Sequence, residues 1–141
     1  MQKSVVCSAL IKQIHDHMEK HANNSLRSQD LTISQVGALV ELYSAPEKQL
    51  SLKELEKLLH VAQSTSAGII SRLEQKGFVE SFGSPEDKRI KLVRLTSAGK
   101  ECYLIANQKR EEADALLLHG LTDTEKSIFL SLLQKVCDTL E

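Results

Sequence analysis

Apolar residues recur at helical spacing near the start of the chain. These residues are Val6, Leu10, Ile14 and Met18. Positions four apart share one face of a helix, so the pattern predicts an amphipathic helix over residues 3–23. Asn23 and Asn24 follow the last apolar positions and are the expected end of this helix.

Reciprocal capping pairs mark the beginnings of three further helices. In such a pair a Ser or Thr side chain accepts from the backbone N–H three residues on, and the Glu or Gln found there accepts in return. The pairs are Thr32 with Gln35, Ser51 with Glu54, and Thr122 with Glu125. The first helix of this set is predicted to end at Ala45, because Pro46 follows. The second is short and ends near Leu59.

Residues 63–76 form another predicted helix, which carries an apolar side at Ile69, Ile70 and Leu73. Gly77 follows it directly, and glycine is the usual residue just after a helix end. The sequence therefore predicts a helix over residues 63–76 that follows the short helix and ends before Gly77.

The hydrophobic period changes from helical to two after Gly77, which predicts strands over residues 78–82 and 90–95 with a charged loop between them. Thr96 can cap a long helix that runs to His119 and is broken at Gly120. The predicted order is ααααββαα, a mainly α chain with a small β-hairpin.

The chain has 141 residues, 41% of them hydrophobic, and a net charge of -1. No apolar run is long enough for a membrane span, and no secretory signal pattern is present at residues 1–10. Residues 61–100 hold seven basic and four acidic residues, so positive charge is local. The three cysteines lie far apart, which excludes a disulfide framework and favours a reducing, cytoplasmic setting.

A short helix, a turn at His60 and Val61, a second helix and a hairpin together make a winged helix-turn-helix. We call residues 63–76 the reading helix, because such a helix enters the major groove of double-stranded DNA while the loop of the hairpin, the wing, reaches the minor groove. We expect the exposed beginning of the reading helix to contact DNA through Gln63, Ser64, Thr65 and Ser66.

The run from Asp87 to Thr96, with Ala98, Gly99 and Lys100 after it, resembles the wing signature of the multiple-antibiotic-resistance regulator (MarR) family of bacterial transcription regulators. Further matches are Leu31 and Thr32 with Gln35, and the segment 72–77. The resemblance implies a DNA-binding repressor and a homodimer on a pseudo-palindromic operator. It implies a dimerisation helix in residues 1–30, a winged helix-turn-helix in 31–97 and dimerisation helices in 98–141, in one compact domain.

By the same resemblance Arg89 is expected at the minor groove, Asp87 orients the wing, and Lys88 and Arg72 add contacts to DNA. Ala62 departs from the family pattern, because it cannot cap the reading helix. Gly68 stands where many relatives carry a long side chain, and a glycine inside a helix costs about 0.5 to 1 kcal/mol relative to alanine. Close helix packing or close backbone approach to DNA would explain it. We predict modest affinity and a shallow salt dependence.

Three kinds of switch remain open. The resemblance implies a small, often phenolic, anion bound between the dimerisation helices and the winged module, or an oxidant sensed by a cysteine such as Cys7. A sensor thiol needs nearby positive charge, for which Lys3 and Lys12 are candidates, and the alternative is that Cys7, like Cys102 and Cys137, is a packing residue. His17 and His21 share a helix face and could bind a metal, given further ligands such as Cys102 or His119.

Two other classes of function compete with a regulator. The sequence lacks a nucleophile elbow, a phosphate-binding glycine loop and a zinc-protease motif, so we expect neither an enzyme nor a bound cofactor. A winged helix used to bind a protein is the closer alternative, because the segment from Gln63 to Gly68 is uncharged. The basic wing at Lys88 and Arg89 favours DNA.

Overall fold

The computed structural model describes residues 5–140, without the side chains of Ser25 and Ser28. Six α-helices and three strands, with 3₁₀ turns at Arg27–Gln29 and Pro46–Lys48, make up this part of the chain. In chain order they are α1 (Cys7–Leu26), α2 (Ile33–Ser44), β1 (Gln49–Ser51), α3 (Leu52–Leu59), α4 (Gln63–Gln75), β2 (Val79–Gly83), β3 (Lys91–Leu95), α5 (Ser97–Leu117) and α6 (Asp123–Thr139).

All three predicted capping pairs are present. The side chains of Thr32, Ser51 and Thr122 each accept from the backbone N–H three residues on, and the reciprocal bonds are made as well. Thr96 caps α5 by accepting from the N–H of Gly99 at 3.1 Å. The beginnings of α2, α3, α5 and α6 were therefore predicted correctly, because a cap is a local contact between residues three apart.

Two predicted helix ends are wrong. α1 continues through Asn23 and Asn24 to Leu26, and a 3₁₀ turn follows before the left-handed residue Asp30. Leu26 is buried, so packing its side chain into the core favours one further helical turn. α5 ends at Leu117, short of His119. The predicted beginning at residue 3 is wrong as well, because Val5 and Val6 are not helical and α1 begins at Cys7.

The sheet contains a strand that the sequence pattern did not predict. β1 pairs antiparallel with β3, placing Leu50 opposite Val93, and β3 pairs with β2 on its other side. The order of strands is β1-β3-β2. A strand of three residues shows almost no period, and β1 exists because β3, about 40 residues later, offers it a partner.

The core lies between α2, α3, α4 and the sheet. Leu39, Leu42, Leu55, Leu73 and Val93 are completely buried there. Burial of one such side chain contributes about 1.5 to 3 kcal/mol to the free energy of folding. The core therefore fixes the winged helix-turn-helix as a unit, whereas α6 has no buried residue in this chain.

Candidate nucleic-acid interface

The connection between α3 and α4 is a tight turn. His60 adopts left-handed backbone angles, with φ of 54°, and its N–H donates to the carbonyls of Glu56 and Lys57 at the end of α3. Ala62 precedes α4 and makes no side-chain cap. The first N–H groups of α4 are thus left for another acceptor, as a helix beginning that meets a phosphate requires.

The beginning of α4 presents a mixed set of side chains. Gln63, Ser64 and Thr65 are exposed, as predicted. Ser66 is completely buried, so its predicted exposure was wrong. It lies three, four and seven residues before Ile69, Ile70 and Leu73, which places it on the buried face of the helix. The Ser66 hydroxyl has no hydrogen-bond partner among the described residues. The position of Ser66 on the same helix face as Ile69, Ile70 and Leu73 could have predicted its burial from the sequence.

Gly68 and Arg72 lie on the opposite, exposed side of α4. A β carbon added to Gly68 would meet no described atom within 4 Å. Packing within the described chain therefore does not explain this glycine. Arg72 forms no ion pair with any residue that the structure describes, and its charge faces solvent.

The loop between β2 and β3 is shaped by Asp87. Its carboxylate accepts from the backbone N–H of Arg89 at 3.0 Å and from Nε and Nη2 of the same residue at 3.1 Å. These bonds hold the pKa of the Asp87 carboxyl below its usual value. The Arg89 side chain is still 91% exposed, so one edge of its guanidinium is held while most of it faces solvent.

Backbone contacts close this loop further. The Ser84 N–H donates to the carbonyl of Ile90 at 2.8 Å, and the Ile90 N–H donates to that of Asp87 at 2.9 Å. Lys88 is exposed at the tip and forms no ion pair with a described residue. The wing therefore carries two adjacent cations on an ordered turn.

Two other cations in residues 61–100, Arg94 and Lys76, bind to other residues of the chain. Arg94 donates to the carboxylate of Glu80 across the strands, at 2.7 Å from Nη2, and lies over the Phe82 ring. Lys76 contacts Asp30 and Gln35. The remaining five of the seven cations in residues 61–100 are exposed: Arg72, Lys88, Lys91 and Lys100 form no ion pair with a described residue, and Arg89 is held by Asp87. Arg72, Lys88 and Arg89 are the three of these that belong to the predicted interface.

Comparison with known proteins agrees with this geometry. A profile described as "MarR family" matches residues 31–91. The chain is 30% identical over 131 residues to the multiple antibiotic resistance protein MarR of Escherichia coli K12, covering 90% of this chain and 88% of that protein. The chain belongs to the MarR family. It is a winged helix-turn-helix transcription regulator of that family.

Two further comparisons support the assignment to the MarR family. The chain is 28% identical over 124 residues to the uncharacterised transcriptional regulator YybA of Bacillus subtilis, covering 88% of this chain and 81% of that one. A crystal structure of a mutant MarR from E. coli complexed with operator DNA superposes with a TM-score of 0.80, at 29% identity, covering 92% and 91% of the two chains. In the described part of this MarR-family chain, no helix is long and apolar enough to cross a membrane.

A cavity of about 260 Å³ lies between α1, α2 and α5 of this MarR-family chain. Its wall is mostly apolar, with Met18, Leu26 and Val36 among the lining residues. The charged and titratable residues that line it are His17, His21, Lys109, Arg110 and Asp114. The two histidines predicted as metal ligands therefore line this cavity.

The predicted metal ligands are not assembled. Among the described residues, the one group of three potential ligands within 4.8 Å of one another is His15, Asp16 and Glu19, all exposed. His17 and His21 belong to no such group, and neither Cys102 nor His119 joins them. The distances between helices, which the sequence does not contain, decide this outcome.

The cysteines fall into two classes. Cys102 is buried, as predicted, and burial raises the pKa of its thiol. Cys7 and Cys137 are exposed in this chain, so neither packs into the core that this chain forms by itself, and their interpretation as packing residues remains a prediction that depends on the dimer. Of the two cations expected near Cys7, Lys12 is paired with Asp16 at 2.7 Å, and Lys3 lies outside the described residues.

The sequence pattern assigned no role to Glu74 and Lys76, which connect the reading helix to neighbouring elements. Glu74 on α4 accepts from the backbone N–H of Ser81 on β2 at 3.0 Å, which ties the wing to the reading helix. Lys76 joins the end of the same helix to residues 30 and 35. These contacts bridge 7 to 46 positions, and no local pattern signals them.

Proposed function

We propose that this MarR-family regulator is a repressor that binds a pseudo-palindromic operator as a homodimer, and that a small anionic effector changes its affinity. In this proposal residues 31–97 bind DNA, and residues 1–30 and 98–141 form the dimer. The DNA contacts are Gln63, Ser64, Thr65, Gly68, Arg72, Lys88 and Arg89, with Asp87 orienting Arg89.

The observation that carries the proposal is the ordered wing. Asp87 fixes one edge of the Arg89 guanidinium while 91% of the side chain stays exposed. A preorganised arginine loses little conformational entropy when it enters a minor groove, where narrow grooves attract positive charge. The exposed beginning of α4 supplies uncharged donors and acceptors that suit the edges of bases in the major groove.

The dimer is supported by apolar surface at both ends of the chain. α1 exposes Leu10, Ile11 and Met18, and α6 exposes a further set. That set is Ile128, Leu130, Leu132, Leu133 and Val136, and Leu140 just after the helix is exposed as well. A soluble monomer rarely exposes so large an apolar area, whereas an obligate dimer buries it against a second copy.

The effector is supported by the cavity between α1, α2 and α5. Its volume of about 260 Å³ exceeds the roughly 150 Å³ of a protein cavity that accepts benzene. Two cations, Lys109 and Arg110, and one anion, Asp114, are among its lining residues, so the lining suits an aromatic anion. Because α1 and α5 belong to the proposed dimer, a ligand there would alter the separation of the two reading helices.

Selection of binding sites from random duplex DNA tests the proposal. Purified protein is incubated with the DNA pool under reducing, chelated conditions, with parallel selections containing zinc or peroxide. We expect a two-fold symmetric site with half-sites about one helical turn apart. If a DNA sequence is enriched only in the presence of zinc or peroxide, the effector is a metal ion or an oxidant rather than a small anion. A folded dimer that enriches no sequence would contradict the proposal and favour a protein partner.

Salt dependence separates the two kinds of partner. Binding to DNA through Arg72, Lys88 and Arg89 releases counterions, so the logarithm of affinity falls linearly with the logarithm of salt concentration. Three such phosphate contacts in each protomer, six in the dimer, give a slope of about -5, shallower than the roughly -10 of a strongly basic DNA-binding protein. An apolar interface with a protein would give a slope near zero.

A further inference from the structure

The end of the reading helix is fastened to the junction between α1 and α2 by one side chain. The Lys76 ammonium donates to the backbone carbonyl of Asp30 and to Oε1 of Gln35 at 3.0 Å. Oδ2 of Asp30 lies 3.8 Å from the same nitrogen. Lys76 thus donates hydrogen bonds to residues that lie 41 and 46 positions earlier in the chain.

Each partner of Lys76 has a fixed position. Gln35 is 3% exposed, and its Oε1 also accepts from the N–H of Thr32 in the cap of α2. Asp30 ends the 3₁₀ turn after α1 in a left-handed conformation. Carbonyls at a helix end carry partial negative charge and attract a cation. The ammonium therefore stabilises the point at which α1 ends and α2 begins.

The Lys76 side chain is 24% exposed whereas the Asp30 side chain is 97% exposed, so solvent screens the ion pair between them, and the hydrogen bonds to the Asp30 carbonyl and to Gln35 carry the contact. Leu26 and Val36, on the two helices that meet at the junction, line the cavity between α1, α2 and α5. One side chain thus connects the reading helix to the junction of two helices that line the cavity, of which α1 also belongs to the proposed dimer-forming part, which we call the dimer frame (residues 1–30 and 98–141).

We propose that Lys76 is a positioning residue that sets the orientation of the reading helix on the dimer frame, and hence the half-site separation that the protein accepts. The proposal rests on the dimeric DNA-binding function proposed above. Two ordered acceptors and limited exposure allow the ammonium few alternative positions. Without the Lys76 ammonium, the core still holds α4, but the tilt of α4 relative to the end of α1 is less restricted.

The test compares three variants on operators of different spacing. Lys76→Met keeps the length of the side chain and removes the donors, Lys76→Arg keeps donors and charge, and Asp30→Asn removes only the ion pair. Affinity is measured for the selected operator and for versions with the half-sites one or two base pairs closer or farther apart. Thermal unfolding establishes that each variant is folded.

We expect the preference of the wild type for its best spacing over a one-base-pair change to fall at least threefold in Lys76→Met. Lys76→Arg should restore most of the preference, and Asp30→Asn should behave as wild type, because the backbone carbonyl is the main acceptor. An equal loss of affinity at every spacing, or no loss, would overturn the proposal.

Amide hydrogen exchange tests the role of Lys76 in restraining the reading helix without any DNA. In Lys76→Met we expect faster amide exchange in residues 26–31 and 72–77 together, with residues 79–95 unchanged. Should no operator be found, the function proposed above fails, and this measurement alone decides whether the contact restrains the helix. Unchanged exchange in either of the first two segments would refute the restraint.

Discussion

Gly99 of α5 lies directly against the carbonyl oxygen of Phe78, just before β2. A β carbon at residue 99 would overlap this oxygen and its carbon, and both are backbone atoms that cannot rotate away. Thr96 adds two bonds at the same place, from its N–H to the carbonyl of Phe78 at 3.1 Å and from its hydroxyl to that of Gly77 at 2.6 Å. The contact holds α5 against the beginning of the wing.

Gly99→Ala should lower the free energy of unfolding by about 3 kcal/mol or more, because overpacking against an immobile backbone shifts whole elements. Urea denaturation followed by circular dichroism measures the change. Gly68→Ala is the matched control, since open space surrounds that position in the described chain. It should raise stability by about 0.5 to 1 kcal/mol through helix propensity. Equal effects of the two substitutions would contradict the contact at residue 99.

Arg89→Ala should weaken binding to the selected operator by roughly tenfold or more, since one good side-chain contact with DNA contributes about 1 to 3 kcal/mol. Fluorescence anisotropy at several salt concentrations measures the loss. Asp87→Asn keeps the cation but loosens its support, so its loss should be smaller. Light scattering should find the same oligomer in all forms, and an unchanged affinity of Arg89→Ala would remove the wing from the interface.

Leu132→Asp should separate the dimer without unfolding the winged module. The Leu132 side chain is 56% exposed in this chain and α6 contributes no buried residue, so the charge is costly only if a partner covers the helix. Analytical ultracentrifugation measures the association. Ser127→Asp places the same charge on a polar side of α6 and should leave the dimer intact. A stable Leu132→Asp dimer would show that another face mediates assembly.

His60→Gly should raise the free energy of unfolding by about 1 kcal/mol. A residue with a β carbon is strained in the left-handed conformation that His60 adopts, and glycine is not. Thermal and urea unfolding measure the gain. Val61→Gly tests the neighbouring position, where added chain flexibility should lower stability. A loss of stability in His60→Gly would mean that the imidazole makes a contribution larger than the backbone strain.

Arg110→Gln should reduce the response of the operator complex to a phenolic carboxylate such as 2-hydroxybenzoate. The substitution removes a positive charge from the cavity lining while keeping a polar side chain of similar shape. Operator affinity measured across a titration of the compound gives the response, and Lys126→Gln on α6 is the control. An identical response in both variants and wild type would exclude Arg110 from effector binding.

The local elements of this protein were accessible from sequence because their signals are local. Capping pairs three residues apart fixed the beginnings of α2, α3 and α6, and Gly77 marked the end of α4. Predictions failed where a distant contact decides the outcome. Burial of Leu26 extends α1 past its asparagines, and pairing with β3 creates β1.

The candidate interface divides in the same way. Gln63, Ser64, Thr65 and Arg89 are exposed where the sequence predicted them, because helical phase and the hairpin loop are short-range properties. The burial of Ser66 is also a matter of phase and could have been predicted. The separation of His17 and His21 from any third ligand depends on how helices pack, which no spacing along the chain reveals.

The amino-acid sequence by itself therefore determined the succession of the six α-helices and the two wing strands, the basic wing and the membership of a family of regulators. Tertiary structure alone decided which charges stay outward and which are used internally, as Lys76 and Arg94 are. It also decided that α1, α2 and α5 enclose a cavity. The physical reason is range, since caps and periods act over a few residues, whereas burial and ion pairing join residues that only folding brings together.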